Sequence, residues 1–310
     1  MPPLRYHAGQ RSIQEEAKTT HVAEKLAHWV GPVAEFAHDA DLILLATLVE
    51  AETLRFSVLS GAPPLVEVVD GPDVRLRFPA AISDRLPLGR CGGLAISMAR
   101  ARRARLNGVM ARQGSTNELT ASETFTLCRK YIAPSLSLGE PPQLGPESRH
   151  RIALDDPWLT DLLARAETSF LASISPDGGP DVAHRGGPAG FLTLNPATGV
   201  LSWPEYVGDG IFKSAGNVRA TGKFTLLVPD LESGDGVELV GAGKYTNTRP
   251  ERKLRLDPLV QHREPFPMQG FIEGHVSDVF RLQRVLRPRR RIEKALRITS
   301  CSAVGEQAPQ

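Results

Sequence analysis

The chain has 310 residues, which is enough for one large domain or for two domains of about 150 residues each. Apolar residues make up 41% and charged residues 23% of the sequence, a composition that excludes a disordered chain. Its 37 lysines and arginines against 35 aspartates and glutamates leave a net charge of +2. This near-balance excludes a polyanion binder driven by bulk charge, so we expect no nucleic-acid partner.

The cysteines and the apolar runs indicate the compartment. Cys91, Cys128 and Cys301 lie far apart and have no CxxC spacing, so we expect neither a disulfide framework nor a structural zinc site. No stretch approaches the roughly 20 apolar residues that a membrane span requires, and the first residues, MPPLRYHAGQRS, lack the hydrophobic core of a signal peptide. The sequence therefore predicts a cytoplasmic protein with no membrane partner.

The first half of the chain begins with a helix and continues as short strands. Apolar residues at helical spacing predict a helix over residues 10–30, which Gly31-Pro32 ends. Asp70-Gly71-Pro72-Asp73 is typical of a hairpin turn. The runs predicted to form an antiparallel meander are Leu42–Val49, Thr53–Ser60, Leu65–Val69, Val74–Phe78, Gly93–Met98, Arg103–Met110 and Thr120–Tyr131.

The second half repeats this order after a segment rich in proline. Residues 133–150 show little periodicity and are interpreted as a linker. Pro157–Ala166 is predicted to be a helix with Asp156 as its N-cap. The predicted strands that follow are Ser169–Ser175, Asp181–Arg185, Gly190–Leu194, Val200–Trp203, Lys223–Pro229, Gly236–Gly241 and Phe271–Val279.

The two halves align with each other at an offset of 126 residues, where Leu45-Ala46-Thr47 falls on Leu171-Ala172-Ser173. This match predicts an internal duplication. The alternative is two unrelated β-rich segments with similar turn spacing. Under the same offset Val58 and Leu59 align with His184 and Arg185. An apolar pair in one copy and a cationic pair in the other predicts that only the second copy keeps a ligand site.

The densest group of polar residues is DVAHRGGPAGF, residues 181–191. His184 and Arg185 end a short strand and lead into a glycine-rich turn that begins at Gly186. Arginine suits a phosphate group, and neighbouring glycines allow backbone N–H groups to approach an anion. The segment therefore predicts an anion site, and the alternative is a hairpin whose arginine is solvated.

A second polar segment, residues 203–224, is predicted to place a short helix or a turn over Gly208–Thr221 between two strands. This helix offers donors to an anionic cofactor from one helical end, and Tyr206 before it can stack or hydrogen-bond. The alternative is a set of ordinary surface charges. The candidate donors are Lys213, Ser214, Asn217 and Arg219.

Other catalytic signatures are missing. No GxGxxG opens a helix after a strand, GxSxG is absent, and the histidines have no metal-ligand spacing, so we expect no metal. Val240–Thr246 partly matches the pattern of a phosphate-binding loop, but we interpret it as a strand. Two arginine-rich stretches remain, Ala99–Arg105 and Arg281–Arg297. The second is interpreted as a solvated strand or helix, and the alternative is a surface that binds nucleic acid or an acidic partner.

Five segments together resemble the pyridoxamine 5′-phosphate oxidase-like, FMN-binding split-barrel superfamily, and in particular its tandem-barrel members. In chain order they are YHAGQRSIQEEA, RARLNGVM, TLCRKYIAPS, DVAHRGGPAGF and YVGDGIFKSAGN. The resemblance implies a mainly β fold with flanking helices, built from two tandem antiparallel split β-barrels. The expected domains are residues 1–132 with the leading helix, the proline-rich linker 133–150, and residues 151–310 with the flavin-phosphate site.

The resemblance also implies a site. FMN is expected in a cleft between the barrels, with Arg185, Lys213, Ser214 and Asn217 holding its phosphate and ribityl chain. The same cleft would be lined by His184, Gly186 and Tyr206, and we nominate His184 and Tyr206 as catalytic groups. Ala215-Gly216 stand where true pyridoxamine phosphate oxidases carry paired basic residues, which argues against vitamin B6 oxidation.

The expected function is an FMN-dependent oxidoreductase acting on a small organic substrate, with NAD(P)H or O2 as redox partner. One alternative is a non-catalytic flavin-binding or redox-sensing protein. Another is a split barrel that holds haem or a deazaflavin. A tandem pair can build its barrel interface within one chain, so we expect a monomer or a homodimer.

Overall fold

The computed structural model describes residues 3–29, 31–49, 53–69, 71–248 and 266–292. The first half contains α1 (Ala8–Glu16), α2 (Thr20–Ala27), α3 (Val33–His38), β1 (Leu42–Val49), β2 (Thr53–Ser60), β3 (Glu67–Val69), β4 (Arg75–Phe78), α4 (Ala80–Ser83), β5 (Gly89–Ser97), β6 (Arg102–Gln113) and β7 (Thr116–Thr126). Three short strands follow, β8 (Ser135–Ser137), β9 (Gln143–Gly145) and β10 (Ser148–Arg151). The second half contains α5 (Pro157–Arg165), β11 (Thr168–Ile174), β12 (Pro180–Gly186), β13 (Thr193–Asn195), β14 (Val200–Tyr206), α6 (Lys213–Thr221), β15 (Lys223–Pro229), β16 (Gly236–Asn247), β17 (Met268–Gln283) and β18 (Arg289–Arg291).

Most predicted strands are present, and the largest error concerns the first helix. Residues 10–30 were expected to form one helix, but α1 and α2 are separate because Lys18 adopts a left-handed φ of +54° between them. Residues 30 and 70, which end the predicted helix and begin the predicted hairpin turn, lie outside the described residues. The predicted cap of α5 is confirmed, since the Asp156 carboxylate accepts a hydrogen bond from the N–H of Trp158 at 2.8 Å.

The two halves share one strand order. The first sheet runs β3-β4-β7-β6-β5-β1-β2, with β9 added beyond β2, and the second runs β13-β14-β17-β16-β15-β11-β12, with β10 beside β17. Each sheet also bulges at equivalent places, between Asn107 and Gly108 in β6 and between Val240 and Gly241 in β16. Matching topology and matching bulges favour a duplication over two unrelated segments. The fold is thus mainly β with flanking helices, arranged as two tandem antiparallel sheets as predicted.

Three large apolar clusters lie among the described residues. One fills the first half, one fills the second half, and a third joins the halves through residues of β1, β2 and β5 and of β11, β12 and β15. The halves approach closely where β5 crosses β12, because a Cβ at Gly92 would lie 2.6 Å from the backbone nitrogen of Asp181. Residues from both halves therefore face the same interface.

Two segments differ from the expected division of the chain. Residues 133–150 are not free of structure, because β8 pairs with β18, β9 with β2, and β10 with β17. The leading helix α1 packs on the second half, where Ile13 joins the apolar cluster. Gln10 and Gln14 of α1 donate hydrogen bonds to the carbonyl oxygens of Lys213 and Ile211, at 3.2 and 2.8 Å. The leading helix thus supports the segment before and within α6.

None of the helices in the described ranges is long and apolar enough to cross a membrane.

Candidate functional site

A narrow cleft lies between the halves, where β12 and the start of α6 face β6 of the first half. Its cavity volume is about 90 Å³. Six of the seven residues predicted to line a cofactor site contribute to it, namely His184, Arg185, Gly186, Tyr206, Lys213 and Ser214. The first half contributes Arg103, Arg105, Leu127, Cys128 and Tyr131. The structure thus brings the predicted residues together and adds a wall that the sequence reasoning did not supply.

Asp181 is the buried anchor between the two walls. Its carboxylate pairs with Arg105 and accepts hydrogen bonds from Asn107 Nδ2 at 2.9 Å and from Ser214 Oγ at 2.7 Å. Burial alone raises the pKa of Asp181, but Arg105 and the hydrogen bonds outweigh burial and lower this pKa to about 2. The group stays ionised and fixes α6 against β6. Because Ser214 gives its hydroxyl proton to Asp181, that proton is not free for a bound anion.

Arg103 and His184 form the centre of the cleft. Both are more than nine-tenths buried, and Arg103 Nη1 lies 2.6 Å from His184 Nδ1. An arginine can only donate, so Nδ1 must accept and Nε2 carries the imidazole proton. Burial, with Arg103 and Arg185 adding like charge, lowers the pKa of His184 well below its usual value, and the ring is neutral.

Arg103 has no carboxylate partner within the described part of the chain. Its second terminal nitrogen, Nη2, donates to Cys128 Sγ at 3.3 Å. Arg103 Nε and His184 Nε2 are both buried, and neither has a hydrogen-bond partner among the described atoms. Buried polar groups are normally paired, so two unpartnered donors in one cleft identify a place that favours an acceptor or an anion.

The predicted cations, by contrast, already have carboxylate partners. Arg185 Nε donates to Glu205 Oε1 at 2.6 Å, and Lys213 Nζ lies 2.5 Å from Glu123 Oε1. The Arg185 pair lies within the second half, whereas the Lys213 pair connects α6 to β7 of the first half. An incoming anion would have to compete with these carboxylates, which weakens the expected role of Arg185 and Lys213.

Asn217 does not line this narrow cleft, but it lines a second, wider cavity together with Lys213. Its Oδ1 is 2.8 Å from His7 Nε2 and 3.0 Å from Gln10 Nε2, and its Nδ2 donates to Ser173 Oγ at 3.1 Å. The first two bonds attach α1 to α6, and the third uses one of the two Nδ2 hydrogens. Asn217 therefore links α1, α6 and β11 in this structure, and its expected contact with the ribityl chain stays a prediction.

The first turn of α6 faces the cleft without a side-chain cap. Phe212, the residue before the helix, has a left-handed φ of +51° and makes no capping hydrogen bond. The first N–H groups of a helix carry partial positive charge and attract anions. This end of α6 lies beside the unpartnered donors of Arg103 and His184.

Aromatic rings close the mouth of the cleft. Tyr131 of the first half packs against Tyr206 and Phe266 of the second, with ring centroids 5.4 and 5.7 Å apart. Burial raises the pKa of Tyr131 to about 12, and its hydroxyl donates to the Val207 carbonyl at 3.0 Å. Gly186 is required beneath these rings, because a Cβ there would overlap the carbonyl oxygen of Tyr131.

A wider cavity of about 460 Å³ adjoins the narrow cleft. Lys213 lines both cavities, and its ion pair with Glu123 stands where they meet. The N-terminal segment, residues 3–7, forms one wall of this wider cavity. Its volume is within the range of about 300–1,000 Å³ that small-molecule sites usually have.

The sequence reasoning missed Arg103, Arg105, Tyr131 and Glu205. The first two lie in the segment RARLNGVM, which carried part of the resemblance but was given no role. Residues two apart in a strand share a face, so this spacing already placed both arginines on one side of β6. Which side faces the other half depends on how the halves pack, and one strand does not reveal that.

No protein-family model and no curated protein matches the chain. The search of solved structures finds HupZ of Group A Streptococcus at 19% identity, with a TM-score of 0.30, covering 41% of this chain and 98% of HupZ. A candidate pyridoxamine 5′-phosphate oxidase of Lactobacillus delbrueckii matches at 18% identity and a TM-score of 0.29, covering 42% of this chain and 93% of its own. HutZ, the haem storage protein of Vibrio cholerae, matches at 16% identity and a TM-score of 0.24, covering 43% and 90%. Each of these matches covers about two fifths of this chain.

Proposed function

We propose that the cleft between the halves binds FMN and that the protein is an FMN-dependent oxidoreductase acting on a small organic substrate. The observation that carries this proposal is Arg103, a buried cation with no carboxylate partner in the described ranges. An unpaired buried charge is costly. A negatively charged ligand in the cleft would offset that cost.

The residues present fit a flavin phosphate ester. Arg103 Nε, the Nε2–H of His184 and the first N–H groups of α6 are donors that an anionic group would satisfy. Tyr131 and Tyr206 offer aromatic faces to a flat ring. The narrow cleft holds only part of such a ligand, and the adjoining cavity of about 460 Å³ provides room for the remainder and for a substrate.

The protonation of His184 favours a flavin over haem. A histidine binds iron through a nitrogen lone pair, but Nδ1 of His184 already accepts from Arg103 and Nε2 carries the proton. His184 thus acts as a hydrogen-bond donor in the cleft rather than as an iron ligand or a proton acceptor. Tyr206 lines the same cleft and stays the second candidate for contact with the reacting atoms.

FMN, when bound, would supply the two-electron chemistry, with NAD(P)H or O2 as redox partner. The chain's own contribution is electrostatic and steric. Arg103 places positive charge next to the ligand, Asp181 holds α6 in position, and the cluster around Tyr131 limits access of water. A buried cation favours the more negative form of any redox group beside it.

The first experiment is the visible absorbance spectrum of the freshly purified protein, with mass spectrometry of the material released by heat. We expect flavin bands and the mass of FMN. A haem spectrum, or a colourless protein that does not bind added FMN, would contradict the proposal. Reduction of bound flavin by NAD(P)H, followed by reoxidation with turnover of an added substrate, separates an enzyme from a non-catalytic flavin-binding protein.

A matched pair of variants tests which arginine holds the ligand. Arg103→Met should weaken FMN binding by about 1.5–3 kcal/mol, or roughly tenfold to over a hundredfold, because a charge-assisted contact is lost. Arg185→Met should have a smaller effect, since Arg185 is already paired with Glu205. Fluorescence titration measures both. A larger loss of FMN affinity in Arg185→Met than in Arg103→Met would show that Arg185, the residue that the sequence favoured, binds the anion.

A further inference from the structure

The duplication defines a second cleft, related to the first by exchanging the two halves. The pairing registers give the offset in residue number between equivalent positions of the two halves. It is 126 between β1–β2 and β11–β12, 133 between β5–β6 and β15–β16, and 155 between β7 and β17. The second cleft should therefore lie between β2 and the end of β17. The equivalent pairs are His184 and Val58, Arg185 and Leu59, Gly186 and Ser60, Arg105 and Glu238, and Tyr131 and Leu286.

The contacts across the interface repeat under this exchange. Gly186 of β12 packs on the backbone of Tyr131. At the equivalent place, Ser60 of β2 accepts a hydrogen bond from the N–H of Arg287, the neighbour of Leu286, at 2.7 Å. Both sides of the molecule thus bring the end of the second strand against the chain that follows the last long strand. The second cleft has the same framework as the first.

The chain itself covers the end of β2 on this side of the molecule. Strand β9 pairs with the end of β2, with Gly145 opposite Val58, Leu144 opposite Leu59 and Gln143 opposite Ser60. These three positions of β2 are the equivalents of His184, Arg185 and Gly186. The Leu144 side chain is 4% exposed and joins the apolar cluster of the first half.

The same segment also contacts the opposite wall. Gln143 Nε2 donates to the carbonyl of Arg284 at 2.6 Å, and Arg149 Nε donates to Glu238 Oε2 at 2.8 Å. Gly145 lies so close to the second half that a Cβ would overlap the carbonyl oxygen of Val285. Residues 141–149 therefore span the second cleft from wall to wall. On β12, by contrast, no strand of the described residues pairs with the outer edge.

We propose that residues 141–149, the plug segment, close the second cleft, so that each chain holds one ligand rather than two. The ligand count rests on the proposed function, but the closure itself does not. The residues that the plug segment covers agree with this proposal. His184 and Arg185 carry N–H donors for an anion, whereas the equivalent residues Val58 and Leu59 have apolar side chains. The cleft in which Val58 and Leu59 stand in place of His184 and Arg185 is the one that gained a covering strand.

Hydrogen–deuterium exchange on the full chain tests the closure without any ligand. Gly145→Val should displace the plug segment, because no side chain fits against Val285. We expect the amides near Val58, which β9 covers, to exchange about tenfold faster or more, with no change around His184. The control is Gly139→Ala, which adds a Cβ at a left-handed φ of +79° where nothing lies within 4 Å. This variant strains the backbone of the same connecting segment without a clash against the second half.

A second readout separates a plug from an ordinary edge strand. Displacing a plug leaves an apolar cavity, so Gly145→Val should bind about one equivalent of anilinonaphthalene sulfonate while the Gly139→Ala control binds none. If Gly145→Val does not fold, Leu144→Ala is expected to give the same two changes at smaller amplitude. Unchanged exchange near Val58, or no added dye binding in a folded variant, would overturn the closure.

The ligand count is measured by titrating FMN into the wild-type chain. One equivalent per chain is expected. Two equivalents would overturn the proposal even if the exchange results agreed with it. Failure of FMN to bind at all would contradict the proposed function, while the exchange and dye measurements would still decide the closure.

Discussion

The two clefts between the halves share a framework and differ in their charges. In the first, β12 brings Asp181 against Arg105, whereas the equivalent positions hold Arg55 in β2 and Glu238 in β16. Arg103, the unpartnered cation, corresponds to Gly236. The duplicated strands therefore supply the shape of both clefts, and a few substitutions decide which one can attract an anion. Five variants test how far the two sides are independent.

The largest effect is expected at the buried ion pair of the first cleft. Asp181→Ala leaves Arg105 buried without its carboxylate, which should lower the free energy of unfolding by about 3–5 kcal/mol. Arg55→Ala, at the equivalent but exposed position, should change it by less than about 0.5 kcal/mol. Urea unfolding of both variants measures the difference. Equal effects would mean that the two clefts are held together in the same way.

The Asp181 pair also has a pH signature. The pKa of this carboxyl is lowered from its usual value to about 2 in the folded protein. Its contribution to stability is therefore present above the unfolded pKa near 3.9 and is lost as the pH falls towards 2. Asp181→Ala should unfold with a weaker acid dependence than the wild type in this range. An unchanged acid dependence would show that the carboxylate is not stabilised as its contacts indicate.

A smaller effect is expected where each second strand meets the opposite half. Gly186→Ala forces a Cβ into the carbonyl of Tyr131 and should cost about 1–3 kcal/mol of unfolding free energy through overpacking. Ser60→Ala at the equivalent position only removes the hydrogen bond from Arg287, worth about 1 kcal/mol. Thermal and urea unfolding rank the pair. A tolerated Gly186→Ala would mean that the first cleft can open, since only a shift of the halves makes room for the added carbon.

The duplication and most strands were predictable, because alternation, turn residues and the self-alignment are local signals. The strands β1, β2 and β15 begin and end where the sequence placed them. The role of residues 133–150 was not predictable, because β8, β9 and β10 each pair with a strand far away in the chain. Their proline content is typical of a linker, and only the packed halves show that the segment covers a cleft.

The candidate site, too, was predictable from the sequence only in part. His184, Arg185, Gly186, Tyr206, Lys213 and Ser214 were grouped from the sequence because they lie in two polar segments, and they do line one cleft. The role of those side chains depends on their contacts with other residues. Glu205 forms an ion pair with Arg185, and Glu123 forms one with Lys213. Arg103, which contacts His184, comes from the first half. A single strand cannot reveal which cation is left without a carboxylate, because that depends on the packing of both halves.

The smallest effect concerns pH, at the position where the second copy has His184 and the first has Val58. His184 is neutral when folded, with its pKa held well below the usual value by burial and by the two arginines, but it titrates near 6.5 when unfolded. The unfolded chain then binds a proton that the folded chain does not, so this group lowers stability as the pH falls below about 6.5.

The variant His184→Val removes this pH-dependent loss of stability. The unfolding free energy of the wild type relative to His184→Val should therefore fall by about 1 kcal/mol between pH 7 and 5.5, whatever the offset between them at pH 7. If the difference stayed constant over this range, His184 would have to take up a proton in the folded chain as readily as in the unfolded chain, and the protonated ring could not accept from Arg103 at Nδ1. In that case the first cleft would hold two cations and no neutral donor, which would strengthen the electrostatic contrast with the second cleft and remove the tautomer on which the choice of flavin over haem depends.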